Sequence, residues 1–144
     1  MSILQIGILV FTVIECGNVA VLYFRPGSKL ANSVGVFKAW EESKRYEKIH
    51  ELVKYLVNWV AGTKLIFIMV AVVAIVFGSH RLQVITVVAL IMSILPFYWR
   101  LYPMIRRMDR AGYISPKGYS KTLCIMVSAF VVGFLTILLV ALLK

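Results

Sequence analysis

Apolar positions along the chain gather into four long runs, at residues 3–24, 55–78, 84–102 and 123–143, separated by two polar connections and one short one. At about 1.5 Å of rise per helical residue, each run is long enough to cross a hydrocarbon core of roughly 30 Å. The pattern predicts an all-α integral membrane protein, a four-transmembrane-helix bundle. It forms a single domain over residues 1–144, with no separate soluble domain. The opening MSILQIGILV has no basic region and no small-residue cleavage site follows, so the first run is expected to stay in the protein.

The connections carry their own helical pattern. After the turn-forming RPG at 25–27, Val36, Trp40, Tyr46, Ile49, Val53 and Leu56 recur near helical spacing from about Ser33 onward, with charges on the other face. Glu41 with Arg45 and Glu51 with Lys54 stand in the favourable order for pairs on one helix. An amphipathic helix between spans 1 and 2 is expected, either continuous with the second span or bending near Asn58. Pro96 and Pro103 are the expected kink sites of the third helix. That helix runs on through RLYPMIRRMDRAG to Gly112 as its cap, and Ser115 and Pro116 are expected to open the fourth. Spans 3 and 4 thus form a helical hairpin.

Composition agrees with this class: 61% of the residues are hydrophobic and the mean hydropathy is +0.90, well above soluble domains. Charge adds a topology. Lys and Arg crowd into residues 25–54 and 103–122, which places both loops in the cytoplasm and both termini, with the short SHRLQ connection, on the other side. The net charge of +10 is then mostly charge that sets orientation and meets anionic headgroups of the lipid bilayer, with Arg106, Arg107, Arg110 and Lys117 facing those headgroups. No nucleic acid is expected as a partner, because acidic residues interleave with the basic ones and no aromatic-plus-basic module is present. Trp59, Tyr98, Trp99 and Tyr102 fall where spans meet the cytoplasmic interface.

Against this background Glu15 stands out, inside TVIECGNVAVLYF and roughly 13 Å from the end of its helix by the helical rise. An isolated charge there costs at least about 2.5–3.5 kcal/mol, so it must be neutral, paired or in water. Lys64 in the second span reaches a similar depth on an antiparallel helix. Thr12, Glu15 and Asn18 recur at three-residue spacing on the first helix, as do Asn58, Ala61 and Lys64 on the second, so both stripes are expected to look inward. Thr86, Ser93, Pro96 and Arg100 form a weaker stripe on the third, of which Arg100 can also snorkel to the interface. The candidate binding site is therefore Glu15, Asn18, Lys64, Asn58, Thr12 and Arg100. The pair either fixes helix register or binds a proton, cation or polar headgroup.

Other chemistry finds little support. His50 and His80 lie on opposite sides, so no haem or metal within the bilayer is expected, and no cofactor. Cys16 and Cys124 differ too much in depth for a disulfide and read as small packing residues. Asp109, the lone Asp, is expected to pair with neighbouring arginines. No nucleophile or general base has a partner, so the residues lean away from an enzyme. Ala129 and Gly133 form a small-xxx-small pair that suits a homo-oligomer, a larger membrane complex or packing within one bundle.

In outline, four helices with a membrane-buried Glu in the first resemble the small multidrug resistance transporters, which implies proton exchange at Glu15. The long amphipathic segment and Lys64 depart from that family. The topology is also similar to the membrane-associated glutathione and eicosanoid enzymes, although their Arg-x-x-x-Asn-x-x-Glu signature is absent: RYEKIHELVKY offers Arg45 and Glu51 without the spacing. The expectation is a transporter, channel-like protein or membrane subunit with a Glu15-centred site. The alternatives are a lipid-facing enzyme and an accessory protein with a purely structural Glu15–Lys64 pair.

Overall fold

The computed structural model describes residues 1–30 and 32–143. They form helix α1 (Ile3–Phe24), a 3₁₀ turn (Val34–Val36), α2 (Lys38–Ser43), α3 (Glu47–Phe77), α4 (His80–Ile94), a π-helical segment (Phe97–Leu101), α5 (Tyr102–Arg110) and α6 (Tyr119–Leu142). No strand occurs among the described residues. Four helices are long and apolar enough to cross a membrane, α4 through α5 counting as one. Large apolar side chains such as Ile66, Val70, Ile125 and Leu139 point outward along them, a surface that water would solvate poorly.

α1 packs against α3, α4 and α6, and α4 and α5 also pack against α6. At the end carrying the chain termini, Leu4, Ile8 and Phe11 of α1 meet Ala71, Val87, Leu90 and Phe134. Phe11 makes edge contacts with Phe67 and Phe130. Farther along, Val19 and Leu22 meet Val57, Ala61 and Ile68. At the basic end, Val36, Ile105, Ile114 and Leu123 close a third cluster.

The amphipathic helix does not run unbroken into the second span. It breaks at Tyr46, whose backbone is extended, and α3 then continues from Glu47 to Phe77 without a break at Asn58. The break lets α2 fold onto α3: the Ser43 hydroxyl lies 2.8 Å from His50 Nδ1, and the Trp40 ring is 4.8 Å from the imidazole. Trp40 and Val36 become buried, whereas Tyr46, Ile49 and Leu56 of the predicted apolar face stay exposed. Glu41 pairs with Lys44 at 2.8 Å rather than with Arg45, because the chain leaves the helix at that turn. The Glu51–Lys54 pair forms as expected, at 2.9 Å.

The third helix is continuous but widened between its two prolines, neither of which can donate to the helical ladder, and the π-helical segment falls there. Gly112 ends α5 in a left-handed conformation (φ 77°), with Gly112 N–H donating to Asp109 C=O and Tyr113 N–H to Met108 C=O. The opening of α6 differs from expectation. Ser115 does not cap it; the helix begins after Gly118 (φ 91°), and Ser115 instead donates its N–H to Val36 C=O at 2.8 Å. With Lys38 N–H donating to Tyr113 C=O at 2.9 Å, this ties the two polar connections together at Phe37 and Ile114.

Candidate functional site

Glu15 and Asn18 stand one turn apart on α1, and Asn18 Nδ2 donates to Glu15 Oε1 at 3.0 Å. Lys64 Nζ, from α3, donates to Glu15 Oε2 at 2.6 Å. Both carboxylate oxygens therefore have a donor. The Glu15 side chain is 14% exposed and that of Lys64 28%, so the ammonium is the more accessible partner.

Lys64 also faces a cavity of about 350 Å³ on the basic-end side of the pair. Its walls come from α1, α3, the π segment, α5 and α6, through side chains such as Leu22, Val57, Phe97, Ile105 and Leu123. Lys64 is the only charged residue among those lining it. A single cation on an apolar wall is suited to an anionic or strongly polar group carried by a small, partly apolar solute.

The other expected members of the site lie elsewhere. Thr12 is buried but donates to Ile8 C=O of its own helix at 2.7 Å. Asn58 is exposed, and Arg100 is exposed beside the Trp99 ring at 5.9 Å. Thr86 and Ser93 bond their own backbone, to Leu82 and Ala89, so the third stripe does not join the pair. The physical reason is helical drift: a three-residue step falls roughly 60° short of a full turn, so residues six apart on a stripe diverge by roughly 120°. Glu15 and Asn18 stay together; Asn58 has turned away from Lys64.

Asp109 does not pair with the neighbouring arginines. Its Oδ1 accepts from Gly118 N–H at 2.9 Å, and its Oδ2 accepts from Ser120 N–H at 3.0 Å and Ser120 Oγ at 2.6 Å. It caps α6 from across the hairpin. Around it lies a cleft of about 520 Å³ that includes Arg106, Arg110 and Lys117 in its lining and adds Lys121. Arg107 is exposed outside that lining.

Two polar features escaped the sequence. Gln83 is buried near the chain start, accepting from Ser2 Oγ at 2.9 Å and donating to Gly78 C=O at 2.9 Å. Tyr98 and Ser128 share a hydrogen bond of 2.8 Å between the third and fourth spans. The available signal was a Gln or Tyr at a span end, which usually marks only an interface. Cys16 and Cys124 are free thiols. No group of three or more His, Cys, Asp or Glu side chains suited to a metal occurs among the described residues. Comparison with family models, curated proteins and solved structures finds no match.

Proposed function

We propose that this chain is a multi-pass membrane protein, acting as a transporter, channel-like protein or membrane subunit, in which Glu15, Asn18 and Lys64 handle a small ion or polar solute. Its Lys- and Arg-rich connections, residues 25–54 and 103–122, face the cytoplasm, and both termini lie on the other side. The observation that carries the reading is that one side chain serves both places: Lys64 is bonded to Glu15 at 2.6 Å and also lines the cavity. A proton delivered to Glu15 Oε2 breaks the ion pair and leaves Lys64 positive, ready to take an anionic group from the cavity. Loss of that proton restores the pair and expels the group. Proton and anion thereby move as a coupled, charge-neutral unit, which avoids the cost of an isolated charge in the membrane.

The test is flux. Purified protein in liposomes with an entrapped pH dye is expected to carry protons when a gradient of chloride is imposed, and Glu15→Gln and Lys64→Met are each expected to stop it. Wild-type rates equal to those of empty liposomes, or undiminished flux in Glu15→Gln, would sink the reading. A second reading is supported by the closed geometry itself: both Glu15 oxygens already have donors, so the pair alone can serve to register α1 on α3.

A further inference from the structure

We infer that the cleft between α5 and the start of α6 binds a phosphomonoester, either a lipid headgroup or a soluble phosphate. This does not depend on the role of Glu15.

Tyr102, Arg106 and Arg110 recur at four-residue spacing on α5 and form one wall; Lys117 and Lys121 stand opposite, on the turn and the first turn of α6. The carboxylate nearest to them is already engaged. Asp109 turns both oxygens to Gly118 and Ser120, which fixes the two walls and satisfies the Gly118 and Ser120 N–H groups at the start of α6. None of the four cations forms an ion pair among the described residues. Four positive groups against one carboxylate leave the cleft with a formal excess of three charges. Like charges lining one cleft repel one another, and an anion among them relieves that repulsion.

The chemistry of the lining selects the anion. Two guanidinium groups present paired donors that match the oxygens of a phosphate, two ammonium groups add point charge, and the Tyr102 hydroxyl adds a neutral donor. A phosphomonoester, with about −1.5 to −2 charges and three acceptor oxygens, uses this excess better than a singly charged diester. The position of the cleft, where the last two spans meet on the basic side, lies within reach of a headgroup.

The experiment uses the full chain in nanodiscs of phosphatidylcholine doped with either phosphatidic acid or phosphatidylglycerol, with retained lipid counted by native mass spectrometry. A parallel titration adds glycerol 3-phosphate to the protein in lipid-free micelles. Wild type is expected to retain phosphatidic acid in preference to phosphatidylglycerol. Arg106→Gln with Arg110→Gln is expected to weaken that retention by at least about tenfold, the size of one or more lost charge-assisted contacts. Arg107→Gln, outside the lining, leaves it unchanged. Glycerol 3-phosphate binding with the same dependence on Arg106 and Arg110 assigns the site to a soluble phosphate; its failure beside lipid retention assigns it to a headgroup. Should the double variant not fold, Lys121→Gln replaces it. Equal retention of both lipids together with no glycerol 3-phosphate binding, or an Arg107→Gln effect as large as that of the cleft variants, would overturn the inference in favour of diffuse charge.

Discussion

Lys64 and Glu15, 49 residues apart in sequence, meet at 2.6 Å across α1 and α3, and the two partners are unequally enclosed. That inequality predicts unequal costs. Lys64→Met leaves a carboxylate with only Asn18 beside it and is expected to destabilise strongly, toward the roughly 3–5 kcal/mol of a broken buried pair. Glu15→Gln keeps an acceptor for Asn18, and the long Lys64 stem can turn toward the cavity, so about 1 kcal/mol is expected. The double variant should lose less than the sum of the two single losses, by a coupling energy of roughly 0.5–3 kcal/mol. Melting in mild detergent measures all three, and additive losses would mean that the pair does not interact.

Asp109 holds the hairpin of the last two spans. Asp109→Ala removes three accepted hydrogen bonds at the start of α6 and is expected to cost about 1–3 kcal/mol, with exchange of the Gly118 and Ser120 amides accelerated before the rest of the helix. Asp109→Asn retains one acceptor and should lose less. Hydrogen exchange read by mass spectrometry distinguishes the two; unchanged protection in Asp109→Ala would refute the capping role.

Gly35 lies against backbone, where a Cβ would clash with the carbonyl oxygens of Gly27 and Ser28. Gly35→Ala therefore has to push the first connection open and is expected to cost about 1–3 kcal/mol and to expose Val36 and Trp40. Gly133→Ala is the contrast, since nothing lies within 4 Å of its Cβ, and a gain of up to about 1 kcal/mol is expected from helix propensity. A Gly133→Ala variant that melts lower in proportion to protein dilution would point to close packing against a second chain.

Gln83 joins Ser2 to the Gly78 carbonyl near the chain start. Gln83→Leu leaves both without that partner and is expected to cost about 1–3 kcal/mol and to loosen the first turn of α1. Limited proteolysis near Ser2 should accelerate; equal cleavage rates in variant and wild type would show that the bond holds nothing.

The residue pattern alone determined the elements that depend on hydrophobicity along one helix. Four apolar runs located α1, most of α3, most of α4 together with the π-helical segment, and α6, because length and apolarity need no neighbour to be read. That Glu15 and Lys64 fall at matching heights on two antiparallel helices was also legible, since rise per residue is fixed. Gly112 was legible because a left-handed cap has a residue preference of its own. What tertiary structure decided is where two segments choose each other. Asp109 turned to α6 rather than to its arginines because the hairpin brings unpaired N–H groups to it. The chain breaks at Tyr46, where α2 folds back so that Trp40 and Ser43 meet His50. Asn58 left the site because three-residue spacing drifts around a helix, Thr12 because its hydroxyl bonds Ile8 C=O, and Arg100 because it lies exposed beside Trp99; only packing reveals which part of a slanted stripe meets a neighbour.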